Sequence, residues 1–174
     1  MIANERIELR APERDDVESI FMAENDRDKY ESSPSPQAPV SHLQVWEYVN
    51  SYAADPFGQG ELRLMIVDRP SGRTVGIIDL TQVDGRARRA AVGIYIFENF
   101  RRQGYAAAAV ELMCAYAADT LDLHQLWAMV AVDNRPSVAL FDKCAFKSAG
   151  RLRSWVRSGR QYRDVLVFQR LFGG

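Results

Sequence analysis

The chain has 174 residues, 47% of them hydrophobic and 26% charged, and its formal net charge is −1. This size and composition are typical of one globular domain with its own core, so we predict a single domain over residues 1–174. The balanced charge excludes a bulk attraction to nucleic acid or to anionic membranes, and no apolar run approaches the roughly 18 residues of a membrane span.

We therefore expect a cytoplasmic protein without a nucleic-acid or membrane partner. The polar residues that closely follow Met1 argue against a secretion signal. The cysteines, Cys114 and Cys144, and the two histidines do not have the spacing of a zinc site, so we expect no metal. The sequence leaves the oligomeric state open, and a homo-oligomer is one of the outcomes.

The first part of the chain is predicted to form one strand and two helices. The strand covers about Ile7 to Leu9, and a helix follows near Asp15 to Glu24. The Pro- and Ser-rich stretch from Ser32 to Pro39 predicts a loop. Ser41 and Gln44 have the spacing of a capping box, which predicts that a second helix begins there.

Three strands come next, over Leu62 to Val67, Val75 to Val83 and Ala90 to Phe97. The last two are joined by Asp84-Gly85, which is a strong reverse-turn signal. Short connections of this kind join antiparallel neighbours, so we predict a three-stranded antiparallel meander.

The second half is predicted to form a helix, a strand, a helix and two strands. The first helix begins at Gly104 or Tyr105 and ends near Leu121, and the apolar run from Leu126 to Val132 indicates a strand buried on both faces. The strand before this helix and the strand after it form a βαβ crossover, which predicts one parallel pair. The expected class is therefore α+β with a mixed, mostly antiparallel sheet and flanking helices.

The segment "FRRQGYAAAAV", which begins at Phe100, joins a strand to a helix through a basic, glycine-containing corner. The N-terminus of a helix presents unpaired N–H groups and a partial positive charge, and Arg101 and Arg102 add two formal charges. Gly104 lets a ligand approach the main chain closely, so the corner suits a phosphate or diphosphate. It matches neither a P-loop nor a dinucleotide fingerprint. A solvated basic turn that only begins a helix is the alternative.

Two motifs with one strand between them carry a family resemblance. The first is Arg101-x-x-Gly104-x-Ala106, and the second is "NRPSVALFDKCAF", which begins at Asn134 and ends at Phe146. In both motifs and in the order of its elements the chain resembles the GNAT superfamily of acyl-CoA N-acyltransferases. Its closing "SGRQYRDVLVFQRL" is similar to the tail of the subgroup that holds spermidine N-acetyltransferases and the N-terminal acetyltransferases of ribosomal proteins.

The resemblance implies acetyl-CoA as the co-substrate and assigns residues to its parts. The second motif would contribute Asn134 to the pantetheine amide, and the helix with Ser137 and Phe141 would flank the acyl end. An open strand edge can pair with an extended ligand, which agrees with the implied pairing of pantetheine on the fourth strand. The implied main-chain contacts are Ile94, Tyr95 and Ile96 to pantetheine, and Arg101, Arg102, Gln103, Gly104, Tyr105 and Ala106 to the diphosphate.

The chain departs from the family pattern at two positions. Phe141 stands where many members have a tyrosine to which protonation of the departing thiolate is assigned. A thiol pKa of about 8.5 makes the thiolate a tolerable leaving group, so this loss need not abolish turnover. Ala91 stands where the related subgroup often has glutamate, which weakens a polyamine assignment. For proton handling we predict Asp79 and Tyr95, on strands expected to border the acceptor.

The predicted function is transfer of an acetyl group to a primary amine by direct attack on the thioester. Deprotonating an alkyl amine at pH 7 costs about 4.6 kcal/mol, whereas a peptide α-amine costs about 1–1.4 kcal/mol. The lower cost of the α-amine favours it as the acceptor, because the sequence shows no evident base. Two classes of acceptor stay open: a protein or peptide N-terminus, and a small amine or polyamine. The alternative from another class is a non-catalytic domain that senses acyl-CoA.

Overall fold

The computed structural model describes residues 1–26 and 38–173. These residues form two compact units. Unit 1 combines residues 1–13 and 52–126 with the C-terminal residues from Leu171, and unit 2 combines residues 14–51 and 127–170. Most of the predicted loop from Ser32 to Pro39 falls outside the described residues. Within the described ranges the elements form the expected α+β fold, with a mostly antiparallel sheet of eight strands, one parallel pair and five helices.

The strands and helices are numbered in chain order. The strands are β1 (Ile2–Ala3), β2 (Ile7–Arg10), β3 (Leu62–Asp68), β4 (Arg73–Asp84), β5 (Arg89–Ile96), β6 (Gln125–Ala131), β7 (Lys147–Ser158) and β8 (Gln161–Leu171). The helices are α1 (Val17–Glu24), α2 (His42–Asn50), α3 (Pro56–Gln59), α4 (Tyr105–Asp119) and α5 (Arg135–Lys143). In the described ranges the longest helix, α4, has 15 residues, and no helix there could cross a bilayer.

Unit 1 contains the predicted meander. Antiparallel ladders join β2 to β3, β3 to β4 and β4 to β5, and one row of directly opposed residues runs Arg63, Asp79, Gly93. Helix α4 buries Ala109, Met113 and Ala117, which recur every four residues and so lie on one face. The predicted meander and its short turns are therefore confirmed. Strand β1 was not predicted, because its two residues are too few to show an alternating pattern.

Unit 2 contains α1, α2, α5 and the hairpin of β7 and β8. The predicted capping box is present at α2, where Ser41 accepts a hydrogen bond from the N–H of Gln44 and the Gln44 side chain accepts one from Ser41. All three tryptophans of the chain, Trp46, Trp127 and Trp155, belong to this unit.

The prediction that β6 is buried on both faces is wrong. Its exposure alternates, with Leu126, Ala128 and Val130 buried and Trp127 and Met129 only partly so. The side chains of a strand alternate between its faces, so an unbroken apolar run can still have one face that is partly accessible.

Candidate functional site

The basic corner of unit 1 has a left-handed glycine at its centre. After β5 ends at Ile96, residues 98–100 form a 3-10 turn, and Gly104 precedes α4 with φ of 84°. An L-residue with a side chain adopts this conformation at a cost of about 1–2 kcal/mol, so glycine is the residue that fits. The predicted start of the helix at Gly104 or Tyr105 is confirmed.

The main chain of the corner has unused hydrogen-bond donors. The N–H of Arg101 donates to the carbonyl oxygen of Glu98 at 3.2 Å, so this amide is already engaged. Across the described part of the chain, the N–H groups of residues 102 to 106 donate to no protein acceptor. Five of the six predicted diphosphate amides are thus available to an anion, and the sixth is available only after its turn opens.

The side chain of Arg101 folds back onto the end of β5. Its Nε donates to the carbonyl oxygen of Ile96 at 3.1 Å, and its guanidinium lies 5.7 Å from the ring centroid of Tyr95. Arg102 is exposed, with φ of 61°. The two motif arginines therefore differ, because Arg101 orders the end of the strand while Arg102 points its charge into solvent.

A third arginine, which the sequence did not predict, lies at the same corner. Arg6 donates from Nη2 to the carbonyl oxygen of Gln103, and its guanidinium stacks 4.4 Å from the ring centroid of Tyr105. A Cβ placed on Gly104 would lie 3.1 Å from its Nη1. Gly104 thus also makes room for Arg6. No local pattern signals this contact, because Arg6 and Gln103 are 97 positions apart.

Tyr105 anchors the first turn of α4 to the strands. Its hydroxyl donates to Oδ1 of Asp68 at 3.1 Å, and its ring contacts Phe100 edge to face at 6.3 Å. Hydrogen bonds from the Ser71 hydroxyl first, and from Tyr105 next, lower the pKa of Asp68. These contacts hold the helix start in one position relative to β3.

The predicted pantetheine segment lies at the end of β5. Ile94, Tyr95 and Ile96 pair with Ile78, Ile77 and Gly76 of β4. The two strands come so close at Gly76 that a Cβ there would lie 2.4 Å from the carbonyl oxygen of Tyr95. Among the described residues, no atom lies within 4 Å of the position that a Cβ on Gly93 would take, which leaves space on their side of the segment.

Asp79 and Tyr95 lie on one face of the meander, in neighbouring rows of the ladder. Both carboxylate oxygens of Asp79 accept hydrogen bonds from Arg63, from Nε at 2.8 Å and from Nη2 at 3.0 Å. Each oxygen keeps a second lone pair that could accept a proton, but protonation would weaken the ion pair with Arg63. The main chain of Arg63 is in turn held by Tyr52, whose hydroxyl donates to its carbonyl oxygen at 2.5 Å, and burial raises the Tyr52 pKa.

The remaining predicted residues lie in unit 2. Oδ1 of Asn134 accepts a hydrogen bond from the N–H of Ser137 at 3.2 Å, so Asn134 caps α5. Phe141 is 4% exposed and packs against Phe146 and Phe168, with ring centroids 5.0 Å and 6.0 Å away. The ring of Phe141 therefore belongs to an aromatic cluster in the core of this unit.

The sequence matches the Acetyltransferase (GNAT) domain family over residues 6–147. It is 26% identical to the spermidine N(1)-acetyltransferase of Vibrio cholerae over 162 residues, which are 93% of this chain and 91% of that protein. It is 25% identical to an uncharacterized N-acetyltransferase, p20, of Bacillus licheniformis over 96% of this chain and 93% of that protein.

A solved structure of similar fold is the spermidine N-acetyltransferase of Vibrio cholerae in complex with CoA and spermine. It superposes with a TM-score of 0.85 and 25% sequence identity over 97% of this chain and 96% of that chain. The family match covers both predicted motifs completely, and the relatives are named as N-acetyltransferases. The chain therefore belongs to the GNAT acetyltransferase family and is an N-acetyltransferase.

Proposed function

We propose that the chain binds acetyl-CoA with its diphosphate on the free amides of residues 102 to 106. The observation that carries this is the left-handed Gly104 with unused N–H donors on both sides of it. Oriented amides, the helix dipole and Arg102 all favour an anion at this point. The relative that binds CoA has the same fold, which supports the choice of ligand.

The pantetheine arm would lie along Ile94, Tyr95 and Ile96, beside the open space at Gly93. A main-chain N–H of β5 would polarise the thioester carbonyl, which is the kind of preorganised donor that stabilises a tetrahedral oxyanion. Asn134, Ser137 and Phe141 remain predicted cofactor residues. For Asn134 the side-chain oxygen already caps α5, so its amide nitrogen is the group that would reach the cofactor.

In the proposed reaction the amine nitrogen attacks the thioester carbon, the C–N bond forms and the C–S bond breaks. The nitrogen loses one proton, and the thiolate of CoA leaves. Holding the amine and thioester together can supply an effective concentration of about 10⁵–10⁸ M. We propose Tyr95 and Asp79 as the groups that handle the proton. Phe141 offers no proton, and its buried ring is engaged with two other aromatic rings.

The acceptor is proposed to be a primary amine, either a polyamine or other small amine or a peptide N-terminus. The names of the relatives favour a polyamine. The bidentate pair of Asp79 with Arg63 and the presence of Ala91 favour an acceptor of lower charge, because neither position offers a free carboxylate for a polycation. The lower cost of deprotonating an α-amine points in the same direction.

Two measurements test this function. Calorimetric titration with acetyl-CoA should show one-site binding, and no heat at hundreds of micromolar would refute the proposed cofactor site. Thiol release with a panel of spermidine, monoamines and peptides should then identify the acceptor, and saturation at micromolar spermidine would exclude the low-charge class. A cytoplasmic location, the absence of metal, membrane and nucleic-acid partners, self-association and a single functional domain over residues 1–174 remain predictions from the sequence.

A further inference from the structure

Arg6 reaches the corner from the start of β2, outside both family motifs. Its guanidinium is fixed on two sides, by the ring of Tyr105 at 4.4 Å and by the carbonyl oxygen of Gln103. A planar guanidinium can stack on a ring and donate hydrogen bonds at its edge at the same time, a geometry that the compact ammonium of lysine does not reproduce. The side chain is therefore held in one place at the corner although the residue is exposed.

The charge of Arg6 interacts with a nearby carboxylate, that of Asp68, without an ion pair between them. In the described ranges of the chain, no carboxylate forms an ion pair with it. The positive charge of Arg6 helps to lower the pKa of Asp68, but it lowers this pKa less than the hydrogen bonds from Ser71 and Tyr105 do. Its Nη1 lies against Gly104, the residue between the free amides of the corner. The donors of Arg6 that do not bind Gln103 thus stand beside the amides proposed to hold the diphosphate.

We infer that Arg6 is a further cofactor-binding and positioning residue, which holds the peptide between Gln103 and Gly104 in place and supplies another cation to the diphosphate of acetyl-CoA. This inference rests on the proposed function of the corner. The bond from Nη2 to Gln103 fixes the orientation of this peptide, and with it the direction of the Gly104 N–H. The Nη1 edge beside Gly104 is the part of the guanidinium that would face the ligand. The charge then acts on the bound anion itself.

The test compares acetyl-CoA with S-acetyl-pantetheine, which has the same thioester but no diphosphate. In Arg6→Gln we expect KM for acetyl-CoA to rise about 10- to 100-fold, as for loss of a charge-assisted bond to phosphate, with kcat within about threefold of wild type. The kcat/KM for S-acetyl-pantetheine should stay unchanged. Arg6→Lys should recover only part of the loss, because it restores charge without the stacked, planar group.

Arg89→Gln is the matched control, since Arg89 is an exposed arginine of the same unit that pairs with Asp84 at 3.6 Å, away from the corner. It should leave both substrates unaffected. If Arg6→Gln lowered kcat/KM equally for both substrates, the role of Arg6 would be purely structural and the inference would be refuted. Kinetics of Arg6→Gln equal to those of the wild type would also refute it. Wild-type protein that does not bind CoA in calorimetry would instead refute the proposed site itself.

Discussion

Replacing Gly104 by alanine tests the corner most directly. An alanine at φ of 84° destabilises the folded state by about 1–2 kcal/mol. Alanine also lowers the conformational entropy of the unfolded chain, which offsets about 0.4–1 kcal/mol of this loss. We therefore expect a net loss of stability of about 1 kcal/mol and a fall in Tm of about 2–4 °C for a chain of this size. The new methyl group would also lie 3.1 Å from Nη1 of Arg6 and push that guanidinium away by a few tenths of an ångström.

The effect on the cofactor should exceed the effect on the fold. Straining Gly104 turns the free amides on both sides of it away from a common target, and the shift of Arg6 weakens the interaction of its charge with the ligand. Losing two hydrogen bonds to a charged ligand predicts a rise in KM for acetyl-CoA of at least tenfold. Steady-state thiol release measures this KM, and thermal unfolding followed by circular dichroism measures Tm.

Gly159→Ala is the control for the backbone strain. Gly159 lies in the turn between β7 and β8 with φ of 62°, and no atom of the residues that the structure describes lies within 4 Å of the position of its Cβ. It should lose a similar amount of stability and keep its KM. If Gly104→Ala lowers Tm as Gly159→Ala does but binds acetyl-CoA like wild type, the corner is not the diphosphate site.

Three further predictions concern unit 1. Gly76→Ala places a Cβ 2.4 Å from a main-chain oxygen of the neighbouring strand and should lower the free energy of unfolding, measured in urea, by about 1–3 kcal/mol. Gly93→Ala meets no described atom within 4 Å and should change this free energy by less than about 1 kcal/mol. The lowered pKa of Asp68 means that its charged form stabilises the fold above the ordinary value of 3.8 and that this contribution is lost as pH falls through the lower folded value. Asp68→Asn should therefore flatten the fall of stability with pH between 3.8 and the lower folded value, and an unchanged slope there would contradict the reasoning. Asp79→Asn should lower kcat at least 100-fold if the carboxylate handles the proton. A fall of less than tenfold would leave Asp79 as a partner of Arg63 only.

Local patterns in the sequence were sufficient for much of the fold. The capping box at Ser41, the turn at Asp84 and the start of α4 each depend on a few adjacent residues, and all three are present in the structure. Helix α3 was missed although Asp55 caps it and Pro56 is its first residue, because four residues are too few to show a helical period.

The missed parts of the site depend on contacts between distant residues. The pair of Arg63 and Asp79 follows from the register of β3 against β4, and a shift by one position would have placed the two side chains on opposite faces. The contact of Arg6 with Gln103 joins two segments of unit 1 that are 97 positions apart in the sequence. Neither could be predicted from composition or spacing, since both need the strand pairing to be known first.

The placement of all three tryptophans in unit 2 decides how experiments on this protein should be monitored. Indole fluorescence reports on the surroundings of Trp46, Trp127 and Trp155, while the aromatic side chains beside the corner are tyrosine and phenylalanine. Emission scans would therefore follow the melting of one half of the molecule and carry no direct signal from the other. A Phe100→Trp probe would place a fluorophore beside Tyr105, and isotope-labelled tyrosine would serve the same purpose in NMR without altering the chain.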